Sequence, residues 1–294
     1  AYVRTGDYAA ALAHVSRAVA ICERIGDREN LFRYRANLLV VYLFRGDVHE
    51  AVAVGLESLR DSRASGHDTN IGLALAACGR YEDALRIHRL HLHWARIGRD
   101  YFHIQNALAH IGGVKVRLGR HHQAIRLLRA SLALRDRTGH RYAEAEVRID
   151  LGAAYRALGR LAEAEREHEL ALVLATDSGE RHVEAAALNG LGRTLAAAGR
   201  GDEAAERYRA ALRLATRIRS PYEQGRALAG LAAHFARTDP VEARRHGERA
   251  LAIFRWMGVP ERREVERCLA ELAAAPAAVE PAPVPGAAEP PDPR

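Results

Sequence analysis

One phrase recurs along the whole chain: Gly-Asp or Gly-Arg, three variable residues, then Ala. It stands at Gly6–Ala11, Gly46–Ala51, Gly79–Ala84, Gly119–Ala124, Gly159–Ala164 and Gly199–Ala204, with a decayed copy at Thr238–Ala243. The spacings are 40, 33, 40, 40, 40 and 39 residues. A period in this range marks small supersecondary units, none able to bury its own apolar face, that stack into a solenoid. The chain is rich in Ala, Leu, Arg and Glu and only 6% aromatic, so the units are expected to be helical.

Each unit reads as two helices. The first carries a small residue where helices must approach closely, at Gly72, Gly112, Gly152 and Gly192, and a larger one three residues on, at Leu75, Lys115, Tyr155 and Leu195. The Gly-Arg or Gly-Asp turn stops this helix, because Gly accepts the left-handed C-terminal conformation. The second helix carries small residues two helical turns apart, as in Ala124/Ser131, Ala164/Ala171 and Ala204/Ala211, which places them on one face. The units close on Gly26, Gly66, Gly98, Gly139, Gly179 and Gly258.

These residues resemble the tetratricopeptide repeat. The fullest match is Leu191-Gly192-x-x-Leu195 with Ala204, Tyr208 and Ala211, followed by Leu151-Gly152-x-x-Tyr155 with Ala164, His168 and Ala171. The usual proline at the end of a unit is missing, and the long first helix is similar to that of the 40–42-residue units of kinesin light chains, polarity scaffolds and bacterial peptide-sensing regulators. The resemblance implies an all-α, right-handed superhelical solenoid of antiparallel helix pairs. It implies an array over 1–258 with a truncated first unit, a C-terminal capping helix over 259–275, and a disordered Pro/Ala-rich tail over 276–294. Ala250-Leu251-Ala252-Ile253-Phe254, Gly258-Val259-Pro260-Glu261 and Glu264-Val265 further resemble the C-terminal end of actinobacterial SARP/STAND-type transcriptional regulators, in which such an array is the sensor or interaction region. Tyr2 aligns with Tyr42 and Tyr155, so the chain is expected to open within a first helix, with further sequence upstream.

Composition limits function. No run of about 18 apolar residues is present, so no membrane span is expected. Cys22, Cys78 and Cys268 form no Cys-x-x-Cys pair and suggest neither a disulfide framework nor a zinc site; free thiols fit a cytoplasmic location. Net charge is +7, and Lys115 is the only lysine. The arginines are interspersed with acids, which reads as a solvated surface and argues against direct nucleic-acid binding by this segment. The tail holds seven of the ten prolines and cannot form a core.

No phosphate loop, Gly-x-Ser-x-Gly or His-Glu-x-x-His occurs, so neither an enzyme nor a cofactor is expected. His88, His91 and His93, with His121 and His122, are the densest histidines. The first two align with packing positions, and no metal site is assigned to them. The expected functional surface is the concave groove. Its candidate contacts are Arg33, Asn37, Asn70, Asn106, His110, Glu146 and Asp150, with Asn189 and Arg193 beside the same line. Four-residue spacing stacks the members of each pair, and these types grip a peptide backbone or a charged terminus. Lys115, at a packing position, is a candidate anion contact or a stem that packs while its ammonium reaches water. The expected partner is a protein or peptide, or the N-terminal modules of the parent protein. A free-standing adaptor and a nucleic-acid binder are the rival readings. The unit from Gly46 to Gly79, seven residues short, is expected to form a hinge or a notch, and residues 66–115 the functional stretch.

Overall fold

The computed structural model describes residues 7–61, 69–139 and 143–274. Gly6, Gly66, Tyr2 and the tail from 276 onward lie outside them. The described residues form fourteen helices and no strand. In order these are α1 (Tyr8–Ile25), α2 (Arg28–Arg45), α3 (Val48–Asp61), α4 (Thr69–Ala77), α5 (Tyr81–Ile97), α6 (Tyr101–Arg117) and α7 (His121–Thr138). They continue as α8 (Glu144–Ala157), α9 (Leu161–Ser178), α10 (Arg181–Ala197), α11 (Gly201–Arg217), α12 (Pro221–Phe235), α13 (Pro240–Met257) and α14 (Arg262–Ala274). The expected all-α, right-handed solenoid of antiparallel pairs is the fold, with even-numbered helices from α2 to α12 as first helices. Helix α14 occupies the segment expected to cap the array. Among the described residues no helix is long and apolar enough to cross a membrane.

The recurring phrase acts in two ways. Its glycine takes a left-handed backbone at Gly46, Gly79, Gly119, Gly159 and Gly199. The residue after it starts the second helix. Asp7 does so as a true cap, accepting from the Ala10 N–H at 3.1 Å, as Asp239 does from Glu242 at 3.0 Å. Where the residue is Arg, no side chain caps the helix. The guanidinium instead pairs with the acid three residues on: Arg80 with Asp83, Arg160 with Glu163, and Arg200 with Glu203.

Packing rests on a side chain from each second helix wedged between two first helices. A Cβ at Gly192 would lie 2.7 Å from the Tyr208 ring, and Gly230 of the next unit meets the same ring from the other side. His168 fills the same place between Gly152 and Gly190, and Leu128 packs against Gly112. The Ala residues of the phrase are fully buried at Ala124, Ala164 and Ala204.

One local expectation needs correction. Gly98 is right-handed, and Arg99 takes the left-handed turn instead, at φ 51°; the chain overshoots its glycine by one residue. His91 sits where other units have a small residue, and is accommodated by His103 of α6, with Nε2 and Nδ1 3.2 Å apart. The shortened unit leaves α4 only nine residues long against seventeen for α5. A cleft lined by His91, Trp94, Gly98, Asp100 and His103 lies between the end of α5 and the start of α6.

The C-terminal part of the described chain comes back against the early units. Val48 of α3 shares a core with Phe254, Met257, Val259 and Val265. A Cβ at Gly46 would lie 2.8 Å from the Trp256 ring, and one at Gly79 would lie 2.9 Å from Pro260. The equivalent turn glycines Gly119, Gly159 and Gly199 face open space. The segment from Trp256 to Glu261 is thus docked on the turns of two early units. Phe44 of α2 also meets His182 of α10 edge-on at 4.3 Å.

Replacing Gly192 by Ala places a methyl group into the Tyr208 wedge. The cost is expected to be about 1–3 kcal/mol, read as a lower urea midpoint at unchanged m-value.

Candidate functional site

The first helices line a narrow interior. On α6, Asn106, His110, Gly113 and Arg117 follow one another at helical spacing and form a stripe. The next unit presents Glu146 and Asp150 in the same register, and two units further Arg226 stands where Glu146 stands. Asp150 lies against Gly113, which has no side chain to exclude it.

The interior is bridged across its width. Arg117 Nη1 donates to Glu261 Oε1 at 3.3 Å and to the Tyr222 hydroxyl at 3.4 Å, and that hydroxyl donates to Glu261 at 2.5 Å. The Tyr222 oxygen, with Glu261 behind it, raises Arg117 against the opposing effect of burial. Burial, reinforced by Glu261, pushes the Tyr222 phenol up to about 12. Asp150 faces Arg117 and Arg226, but burial dominates and raises its carboxyl.

Three sequence-derived candidates are committed to structure. Asn70 donates to the Ala36 carbonyl at 3.2 Å, and buried Asn189 donates to the Glu223 carbonyl and carboxylate at 3.0 and 2.8 Å. Both tie one first helix to the adjacent one. Asn106 accepts from the buried Arg135 at 3.0 Å. Arg33 and Asn37 are exposed on α2. Arg33 donates to Asn30 of its own helix. Arg193 reaches Glu264 of α14 at 3.5 Å.

Lys115 donates to Gln123 at 2.6 Å. It is lowered by burial and by Arg120 and Arg89. Its ammonium is taken up at the junction with α7.

His110 stacks on His88 at 5.0 Å and is held down at about 4 by burial. Glu146 is pushed up to about 7, first by burial and then by Glu180. Its Oε2 is sealed from solvent and has no hydrogen-bond partner. Among the described residues, no three His, Cys, Asp or Glu side chains converge as metal ligands.

Sequence reasoning missed Arg117, Tyr222, Arg226 and Glu261. Arg226 was findable, being in register with Asn106 and Glu146. Arg117 and Glu261 are 144 residues apart, and no local pattern joins them.

The sequence profile of the tetratricopeptide repeat matches residues 1–64, 103–177 and 183–255. That is well over half of the chain, which belongs to this family. No curated protein matches the sequence significantly. Among solved structures the chain is similar to one in the APC/C hetero-tetramer Cut9–Hcn1, at TM-score 0.65 and 15% identity over 92% of this chain and 47% of that one. It is similar to a Rap protein complexed with competence and sporulation factor, at TM-score 0.61 and 13% identity over 84% and 74%. A STAND protein with a tetratricopeptide repeat sensor from Pyrococcus horikoshii matches at TM-score 0.53 and 16% identity, over 83% and 39%. The chain thus spans about half the length of the Cut9–Hcn1 chain and less of the STAND protein.

Two outcomes are expected. Val259 is 1% exposed at the meeting of the ends, so Val259→Asp buries an unpaired charge there. Small-angle scattering should show a larger radius of gyration at unchanged helical circular dichroism. The second concerns acid. Burial holds His110 and His182 at about 4 and His168 at about 3, below the unfolded value of 6.5. Their stabilising contribution is complete above pH 6.5 and is lost as pH falls through the folded values. Melting temperature should drop steeply between pH 6.5 and 4, and His182→Gln should flatten part of that drop.

Proposed function

We propose that this chain is a non-enzymatic interaction array whose interior holds a protein or peptide segment. The observation that carries the reading is the polar interior itself. Glu146 and Asp150 sit on the stripe facing it, and among the described residues neither makes a direct ion pair. A surface built only for packing would be apolar there, and each such buried group costs free energy without a partner. The relatives in fold fit this use: one is part of a hetero-tetramer and one is complexed with competence and sporulation factor.

The array is the sensor or interaction region of a larger cytoplasmic transcriptional regulator. Support comes from the STAND protein with a repeat sensor and from the regulator-like C-terminal residues. Phe254, Val259, Pro260 and Glu261, which carry that resemblance, are the residues that hold the ends together. Binding would favour one of two curvatures, ends joined or ends apart. The parent's own N-terminal module is one candidate occupant. A free-standing adaptor would use the same interior. Nucleic-acid binding through surface arginines is disfavoured because the arginines of the turns are paired with acids.

The test is affinity capture from native lysate with the parent and with Asn37→Ala/Glu146→Gln/Asp150→Asn. These changes spare the structural Asn70, Asn106 and Asn189. At equal helical circular dichroism, the partner retained by the parent should fall at least tenfold on the variant. Equal retention would move function to the outer surface, and loss of binding with added salt alone would favour the nucleic-acid reading.

A further inference from the structure

Three successive units converge at one end of the interior. Arg135 of α7 bonds Asn106 of α6 at 3.0 Å, and its charge is felt by His110 of α6 and Glu146 of α8. Glu180, at the start of α10, and Asp150 face Glu146 from the other side. Glu146 is therefore met by two further carboxylates against the one guanidinium of Arg135, which is engaged by Asn106, while Asp150 is itself faced by Arg117 and Arg226. Glu146 Oε2 is closed off from water and accepts no hydrogen bond. Two other enclosed acids have direct partners: Glu144 pairs with Arg148 at 2.7 Å and Glu223 with Arg226 at 3.2 Å.

We propose that Glu146, with Asp150 and Glu180, forms a subsite for a cationic group of the bound segment, an arginine or lysine side chain or a free amino terminus. A guanidinium or ammonium supplies the donor that Glu146 Oε2 lacks and a positive charge between Glu146 and Glu180. Hydrogen bonds of this charge-assisted kind are about twice as strong as neutral ones. Asn106 and His110 beside it are neutral and do not oppose a cation. A proton competes with such a cation, because burial and then Glu180 push the Glu146 carboxyl up to about 7. The unfolded value is lower, so Glu146 contributes stability below pH 4.5 that is lost as pH rises through 7. The cation takes the place of that proton. This inference rests on the reading of the interior as a binding site and names the chemistry of one part of it.

The experiment uses fluorescein-labelled random decapeptide pools that share one fixed central residue, Arg, Lys, Gln or Glu. Binding is followed by anisotropy at pH 6 and pH 8. The proteins are the parent, Glu146→Gln, and Asp150→Asn as a second variant. The Arg and Lys pools should bind the parent at least tenfold tighter than the Glu pool at pH 8. Their affinity should rise roughly tenfold from pH 6 to pH 8, following the ionised fraction of a group near 7. In Glu146→Gln the charge preference and the pH rise should both vanish, while binding of the Gln pool persists. Binding of all pools without charge preference, or a preference that survives in Glu146→Gln, would overturn the subsite and leave the groove reading intact. If no pool binds the parent, nor Val259→Asp with its ends parted, the peptide-binding reading falls and the subsite with it.

Discussion

The architecture depends on one contact, a ring from a second helix seated between glycines of two first helices. Tyr208 between Gly192 and Gly230 is the fullest case, and His168 between Gly152 and Gly190 repeats it. A side chain gripped from both sides fixes the distance between neighbouring units and their relative rotation. Because interiors are close-packed, a small change at the wedge is felt by both neighbours. Repeated around the array, the rotation brings the C-terminal segment back against the early units. Where the glycine is replaced, chemistry enters. His110 and Asp150 stand in the register of Gly190 and Gly230, and both bring polar groups to the interior at a position that elsewhere only packs.

The repeat, its helix pairs and its turns were legible because they are local. A glycine at fixed spacing needs a left-handed turn, and a small residue at fixed spacing needs a close helix. Arg99 shows the limit: its unit has a glycine at 98, yet the backbone turns one residue later. The groove positions were read as a line on the first helices, and their hydrogen-bond commitments were not foreseen. Asn70 and Asn189 look like ligand-gripping residues because asparagine bonds backbone, and here the backbone they bond is the neighbouring helix. The closure was illegible for another reason. It joins α2, α4 and α6 to the C-terminal segment, and the small rotation between units that brings them together accumulates over the whole array and is written at no single place.

Closure changes what a solenoid can do. In an open array each unit touches only its neighbours, so stability is nearly a sum of local terms. Docking Trp256–Glu261 on the early units adds contacts that all units must satisfy together. Arg117 links these two levels. It lies at the end of the stripe that begins with Asn106 and His110, and its guanidinium reaches Tyr222 and Glu261 across the interior. The stripe that would meet a ligand is therefore the stripe that helps to hold the ring.

Under the proposed function, occupancy and closure would be coupled in both directions. A segment that binds more tightly with the ends apart must open the ring, and anything that opens the ring must tighten binding by the same factor. The coupling can be no larger than the difference in binding free energy between the two curvatures. Much of what holds the ends is apolar surface around Val48, Phe254, Met257 and Val259, which is insensitive to salt. The Arg117–Tyr222–Glu261 bridge is charged and partly open to solvent, so it is the element that ionic strength and an incoming charge can alter. A cation seated at Glu146 and Asp150 would repel Arg117 and Arg226, the two guanidinium groups that Asp150 faces. The physical route from subsite to closure is thus short: neutralising Asp150 removes an attraction that helps to keep Arg117 within reach of Glu261, and the polar half of the closure weakens while the apolar half remains.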